Sequence, residues 1–235
     1  MLIAVISDLH LGAADRVDGF GHDDGEFLRF LSFLEQNFER VVLLGDIWET
    51  LTSAHYGGAR QALARAREAH PEIAQRFRQP RYSYVHGNHD LIAGLSDGAP
   101  DELTLDVDGS RLLFTHGHHY DLLVRNARWL SELGVWLGGW MLRLRMNPLY
   151  ALFNSLDSWR YSSAQDPALC TFQRWVMSAA GPRGADVVVT GHTHQATRTE
   201  HASGLFLNSG SCANGNYSYL SLDTRSARYD VHSSW

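Results

Sequence analysis

The chain has 235 residues, of which 44% are hydrophobic and 20% charged, enough apolar material to bury a sizeable core and too little compositional bias for a disordered or fibrous protein. Its 26 acidic and 20 basic side chains leave a net charge of −6, which argues against general nucleic-acid binding. All 20 basic residues are Arg, so no lysine Schiff base can form and no Walker-type phosphate loop can be completed.

Residues 2–7 form an almost wholly apolar run that predicts a strand covered on both faces. The N-terminus has no basic region and reaches Asp8 and His10 too early for a secretory signal. Over residues 24–38, Phe27, Leu28, Phe30, Leu31, Phe33, Leu34 and Phe38 recur at nearly helical period behind acidic residues of the first turn, which predicts a helix. Residues 41–44 then predict a second strand ending at Gly45-Asp46, and residues 59–77 one Ala- and Arg-rich helical stretch. Residues 82–85 predict a third strand, ending at Gly87-Asn88-His89-Asp90. Alternating strands and helices imply parallel pairing through right-handed crossovers, and in such sheets ligand sites collect beyond the carboxyl ends of the strands.

Residues 103–107 and 111–115 flank Asp108-Gly109, a dipeptide favoured in tight hairpins, so the next two strands are expected to be antiparallel and to deliver His116-Gly117-His118-His119. After a long helical segment, residues 186–190 predict a buried strand ending at Gly191-His192-Thr193-His194. From Thr197 onward, β-rich runs broken by Ser203-Gly204 and by residues 208–216 suggest a second sheet of short antiparallel strands. Cys170 and Cys212 have neither the number nor the spacing of a disulfide framework or a zinc-thiolate site; a reducing compartment is the default, and pairing between the two stays open.

Five strand ends thus present Asp8-x-His10, Asp46, Asn88-His89-Asp90, His116 and His192-x-His194. Each alone is a common turn or cap, but together, in this order and always after an apolar strand, they predict one metal site. Asp, Asn and His without Cys make a mixed oxygen and nitrogen shell suited to Mn, Fe or Zn. Seven ligands exceed what one ion needs. With one shared carboxylate they serve two, and two ions roughly 3.5 to 4 Å apart can activate a water and clamp phosphate oxygens. Hydrolysis of a phosphate ester or anhydride is the reaction that follows.

Asp8-Leu9-His10, Gly45-Asp46, Gly87-Asn88-His89-Asp90, His116 and Gly191-His192-Thr193-His194 together resemble the five-motif pattern of the calcineurin-like metallophosphoesterases. The resemblance implies an α/β fold, a β-sandwich of mixed sheets flanked by helices. It implies that one ion takes Asp8, His10 and His194, that the other takes Asn88, His116 and His192, and that Asp46 bridges. It further implies that His89 stabilises or protonates the leaving oxygen and that Asp90 orients the His89 ring. Within that family the layout is most similar to UDP-2,3-diacylglucosamine hydrolases of lipid A synthesis, through Asp8-Leu9-His10-Leu11, the helix around residues 27–31, Gly45-Asp46-Ile47-Trp48-Glu49 and the long segment before Gly191. Two residues depart from that subgroup, His89 where Arg is frequent and His118 where Asp is frequent; both fit the wider family. Trp48 and Glu49 are expected to pack and cap behind Asp46.

Residues 122–180 combine Trp129, Trp136, Trp140, Trp159 and Trp175 with Arg125, Arg128, Arg143, Arg145 and Arg160, so the chain is expected to be a single domain, 1–235, with a helical cap inserted at about 120–182. Its most apolar stretch, residues 129–142, is too short and too polar to span a bilayer. Three readings are open: a cap packed on the core, a lid that receives acyl chains or touches a membrane, and an oligomer interface. Arg125, Arg128 and His118 are the candidate substrate contacts, and His118, His119 and Asp121 could support the site from behind. His22, His55 and His86 are expected to be solvated or structural.

The sequence therefore points to a dinuclear metallophosphoesterase, Mn first among its ions and Fe or Zn also compatible. Its substrate is expected to be a phosphorylated small molecule or lipid-linked nucleotide sugar, with UDP-2,3-diacylglucosamine foremost. A phosphodiesterase or phosphatase for soluble nucleotides or phosphoproteins is the alternative enzyme, and a scaffold that has lost catalysis the alternative class. Location in the cytoplasm, with peripheral contact at the inner face of the membrane through the cap, follows from the resemblance and the apolar cap; oligomeric state is open.

Overall fold

The computed structural model describes residues 1–152 and 170–235. Within β1 (Leu2–Ile6), Ala4 and Ile6 pack on one face and Ile3 and Val5 on the other, the period-two alternation of a strand with no solvent face. In β2 (Arg40–Leu44), Val41 and Leu43 share the face of Ala4, while Val42 and Leu44 share that of Ile3. The first face meets helix α1 (Asp24–Asn37) through Phe27, Phe30, Leu31 and Leu34. That helix starts at an N-cap, where Asp23 accepts from the Glu26 N–H at 3.0 Å. The opposite face meets a second sheet through Leu112, Phe114, Val187, Val189 and Leu207.

The first sheet has the order β10-β9-β1-β2-β3, with β3 (Tyr82–Val85), β9 (Tyr219–Asp223) and β10 (Arg228–His232). Strands β1, β2 and β3 are parallel; β9 is antiparallel to β1 and to β10. The second sheet runs β4 (Glu102–Val107), β5 (Ser110–Thr115), β6 (Val187–Thr190), β8 (Gly204–Asn208), β7 (Thr197–His201), and it too is mixed, with β5, β6 and β8 parallel. Its outer face packs Leu113, Val188 and Phe206 on Phe172, Val176 and Met177 of helix α6 (Thr171–Ala180). Helix, sheet, sheet and helix are thus stacked in layers, the mixed sandwich flanked by helices that the sequence implied.

Parallel register levels the strand ends: Ile6 is opposite Leu43, Leu44 opposite Val85, Phe114 opposite Val189. The segments following β1, β2, β3, β5 and β6 therefore emerge on a shared edge of the sandwich. Between β4 and β5, Asp108 (φ 50°) and Gly109 (φ 83°) are both left-handed, the two-residue hairpin expected for that dipeptide.

Two expectations need correction, and one element is additional. The helical stretch over 59–77 is two helices, α2 (Ala59–Ala69) and α3 (Pro71–Arg76): the residue before a proline is driven from helical geometry, and His70 takes φ −123°, ψ 59°. The C-terminal strands do not make a sheet of their own. Strands β7 and β8 extend the second sheet, whereas β9 and β10 return to the first beside β1. The short helix α4 (Ile92–Asp97) was not foreseen, since six residues are too few for a periodic signal.

Helix α5 (Leu122–Arg143) opens the expected cap segment and is interrupted at Ala127 (φ −145°, ψ 49°). Trp159 and Arg160 lie outside the described residues. Cys170 and Cys212 are both buried and unpaired with each other. Among the described residues no helix is long and apolar enough to cross a membrane.

Candidate metal centre

The segments leaving β1 and β2 continue side by side. Asp8 N–H donates to Gly45 O, His10 N–H to Asp46 O and Leu11 N–H to Ile47 O, each at 3.0 Å, and Glu49 N–H returns to Leu11 O at 2.8 Å. Asp8 (φ 53°), His10 (φ 50°), Asp46 (φ 51°), His192 (φ 70°) and His194 (φ 59°) are all left-handed. Such geometry costs about 1–3 kcal/mol for a residue with a side chain, and it gathers here on five of the seven candidate ligands. The neighbouring glycines are a matter of space: a Cβ on Gly87 would lie 2.2 Å from Asp46 Oδ1, and one on Gly191 would lie 2.6 Å from Asp8 Oδ2.

Among the described residues, potential ligand atoms form three groups, each within 4.8 Å: Asp8, His10 and His194; Asp46, His116 and His192; and His10, Glu49 and His89, which shares His10 with the first. In the first, His194 Nε2 is 3.1 Å from Asp8 Oδ1 and 3.4 Å from His10 Nε2. In the second, His116 Nε2 is 3.1 Å from Asp46 Oδ2, and the rings of His116 and His192 are 5.3 Å apart. Asn88 precedes His89, whose backbone N–H donates to Asp46 Oδ1 at 2.8 Å. Asp8 and His116 are fully buried, Asp46 nearly so, and the His194 side chain is 48% exposed, which puts the mouth of the centre at His194.

These residues fit divalent cations. Asn88 Oδ1 is buried without a hydrogen-bond partner, and Asp8 Oδ1 and His116 Nε2, buried and lacking a well-formed hydrogen bond, face only His194 and Asp46 at 3.1 Å, a costly state that coordination would relieve. His116 donates Nδ1–H to Leu44 O at 2.8 Å, which turns Nε2 toward Asp46. Burial pulls the His116 pKa down, but Asp46 and Asp8 more than offset it and raise it to about 9. Burial raises Asp46, yet His116 and His89 hold it well below the usual carboxylate range. The carboxylates thus demand positive charge from whatever faces them.

His89 sits beside this centre, its ring 4.5 Å from that of His10. The expected orienting role of Asp90 is not what the geometry gives. Its carboxylate accepts from the backbone N–H groups of Gly87 (2.6 Å), Ile47 (2.7 Å), Asp46 and Trp48 (both 3.3 Å) and from Tyr84 Oη (2.5 Å). Those amides have left the ladder at the ends of β2 and β3 and need an acceptor, so Asp90 splices the two loops together. The ring of His89 is held by Glu49, whose Oε2 is 2.7 Å from Nδ1. Glu49 does cap, accepting from Leu51 and Thr52 N–H, but it also reaches the centre. A buried carboxylate three positions after Asp46 was the signal for it. Asn208, also missed, donates to Gly191 O at 2.6 Å and to Thr190 Oγ1 at 3.0 Å, fastening the loop that carries His192 and His194.

The candidate substrate contacts are not gathered with the seven. His118 is 2% exposed behind His116, ring to ring 5.6 Å, and burial with His116, His119 and His192 nearby drives its pKa down. That is a supporting position rather than a substrate-facing one. Arg125 lies over the Trp175 ring at 5.5 Å, and Arg128 pairs with Glu132 at 2.6 Å. Asp121 approaches His192 Nε2 at 3.4 Å, as expected of a residue behind the site. His22 contacts Cys212 O (2.7 Å), a structural role, and His86 contacts Asp101 (2.8 Å). A cavity of about 560 Å³ opens between Leu51, Tyr56, Leu91, Ile92, Leu95 and Arg128. It adjoins His89 through Thr50, whose hydroxyl donates to His89 O.

A family model described as the calcineurin-like phosphoesterase superfamily domain matches residues 1–132. No curated protein matches the chain. Similar solved structures include a novel archaeal phosphodiesterase, at 18% identity over 99% of each chain with a TM-score of 0.47. The phosphoesterase Yfce from E. coli is 18% identical over 99% of each chain, with a TM-score of 0.46. Wild-type Vps29 from Entamoeba histolytica, complexed with zinc, is 13% identical over 99% of this chain and 97% of its own, with a TM-score of 0.47.

Proposed function

This chain belongs to the calcineurin-like phosphoesterase superfamily, and from that premise we propose that it hydrolyses a phosphoric anhydride or ester at a centre of two divalent ions. The observation that carries the reading is the convergence of Asp8, His10 and His194, and of Asp46, His116 and His192, into two groups, each with its ligand atoms within 4.8 Å of one another. In this reading Asp8, His10 and His194 hold one ion, Asn88, His116 and His192 hold the other, and Asp46 serves both. Bound ions supply Lewis-acid charge to phosphoryl oxygens and acidify a water for attack. We take Mn as the first choice, with Fe and Zn compatible with the same ligands.

The chain's own residues do the rest. The burial of Asp8, Asp46 and His116 keeps bulk water from screening the charges that bind the phosphoryl group. Glu49 Oε2 lies 2.7 Å from His89 Nδ1 and accepts its proton, so Nε2 is the nitrogen left to donate to the leaving oxygen.

For the substrate we infer the pyrophosphate of UDP-2,3-diacylglucosamine. The support is the largely apolar cavity of about 560 Å³ that adjoins His89 through Thr50, its wall also carrying His86, Asp101, Arg128 and Glu132, and the exposed Trp129, Leu130 and Leu137 of α5 with Leu144 just beyond it. Such surfaces suit acyl chains and contact with the inner face of a membrane, with the insertion at about 120–182 acting as a lid. The test compares hydrolysis of UDP-2,3-diacylglucosamine with that of its deacylated form in the presence of Mn. A preference of about tenfold or more for the acylated substrate is expected. Equal rates would overturn the lipid reading and leave soluble nucleotides as the substrate class. Protein that binds no metal and turns over neither compound would be a scaffold.

A further inference from the structure

The segments that follow β1, β2 and β3 meet on one carboxylate. Glu49 is 7% exposed, and its Oε1 accepts from the backbone N–H groups of Leu51 (2.8 Å) and Thr52 (3.1 Å), which fixes the plane of the group. Its other oxygen, Oε2, faces two imidazoles, 2.7 Å from His89 Nδ1 and 3.2 Å from His10 Nδ1. The two rings stand edge to face across it at 87°. An ionised carboxylate only accepts, so both rings present Nδ1–H to the same atom and keep Nε2 for other work. For His10 that nitrogen points to the first ligand group, 3.4 Å from His194 Nε2.

We infer that Glu49 is a positioning residue that joins the first ion's ligand His10 to the proton donor His89, so that metal affinity and leaving-group protonation are lost together when it is altered. The inference rests on the dinuclear reading above and adds to it a coupling between two of its parts. Orienting partners ordinarily serve one ligand each and set its tautomer and direction. Here one oxygen serves a metal ligand and a ring that binds no metal in this scheme. The sharing follows from the paired backbone of the loops: Leu11 and Glu49 are joined at 2.8 Å through Glu49 N–H, which brings the Glu49 side chain alongside His10.

Glu49→Gln tests the coupling, since it keeps the size of the side chain while one end of the amide becomes a donor. That amide can satisfy the Leu51 and Thr52 N–H groups or the rings, but not both. Manganese stoichiometry and affinity are measured by elemental analysis and competition titration, and rates are measured on a nitrophenyl and a phenyl phosphodiester, whose leaving groups differ in their need for a proton. The expected result is about tenfold weaker binding of one of the two ions, with a rate loss larger for the phenyl ester. Glu49→Asp, which keeps the charge but shortens the reach, should show both defects. Unaltered affinity for both ions, or the same rate loss on both esters, overturns the coupling. If the wild-type protein binds fewer than two ions, the dinuclear reading falls and the coupling falls with it, an outcome read before any variant is made.

Discussion

His116 is fastened to Leu44 O through Nδ1 at 2.8 Å and faces Asp46 Oδ2 through Nε2 at 3.1 Å. The backbone carbonyl at the end of β2 thus sets the tautomer of a ligand carried by β5, in the other sheet. Replacing Asp46 by Ala removes the carboxylate assigned to both ions. The expected outcome is loss of at least one ion per chain with the fold retained, checked by elemental analysis and circular dichroism. Two tightly held ions in Asp46→Ala would exclude a bridging role.

His89 is assigned the proton and not the metal. His89→Ala should keep both ions and lose roughly 10²- to 10⁴-fold in rate on an ester with a poor leaving group. An unchanged rate on that ester would remove the assignment.

The space beside Gly87 is taken by Asp46, 2.2 Å from where a Cβ would stand, whereas a Cβ on Gly181 meets nothing within 4 Å. Gly87→Ala should displace the Asp46 carboxylate, cost about 1–3 kcal/mol of stability and weaken metal binding. Gly181→Ala should do neither, and denaturant titration with and without Mn separates the two.

A pH-dependent contribution to stability lies away from the ligands. His70 is buried, with Nδ1 2.7 Å from Asp24 Oδ1 and Nε2 3.5 Å from Asp18 Oδ2. Burial lowers its pKa, but Asp18 and Asp24 outweigh it and the net shift is upward. A group whose folded pKa exceeds its unfolded value stabilises the fold fully below the unfolded pKa, about 6.5 for His, and ceases to do so as pH rises through the folded value. The deficit of His70→Gln relative to wild type should therefore be greatest near pH 6 and shrink toward pH 9. Denaturation midpoints at the two pH values check this, and a deficit that grows with pH would reverse the sign.

Asn208 holds the loop of His192 and His194 by its bonds to Gly191 O and Thr190 Oγ1. Asn208→Ala leaves those buried groups short of a donor, at about 1–3 kcal/mol, and should lower metal affinity without removing a ligand. Thermal unfolding and metal titration together report it.

What could be read from the sequence was what local chemistry determines. Apolar runs marked the strands that end at Asp8, Asp46, Asn88, His116 and His192, and Asp108-Gly109 marked the hairpin, because burial on both faces and left-handed turns each restrict composition. The break at His70 was legible in Pro71, yet the even Ala and Arg pattern around it carried a longer helix. Partner choice was not legible: nothing in the alternation of β9 and β10 tells one sheet from the other, and only the space beside β1 decides theirs. Glu49 caps as expected but also takes the orienting role expected of Asp90, for a similar reason. Which carboxylate meets the ring of His89 depends on which loop has spare backbone N–H groups, and that is set only when β2 and β3 pair.

The most direct test of a two-ion centre is anomalous diffraction from crystals grown with Mn. The account predicts two peaks per chain, roughly 3.5 to 4 Å apart, one among Asp8, His10 and His194, the other among Asn88, His116 and His192, with Asp46 between them. A single peak, or peaks away from these seven side chains, would contradict it.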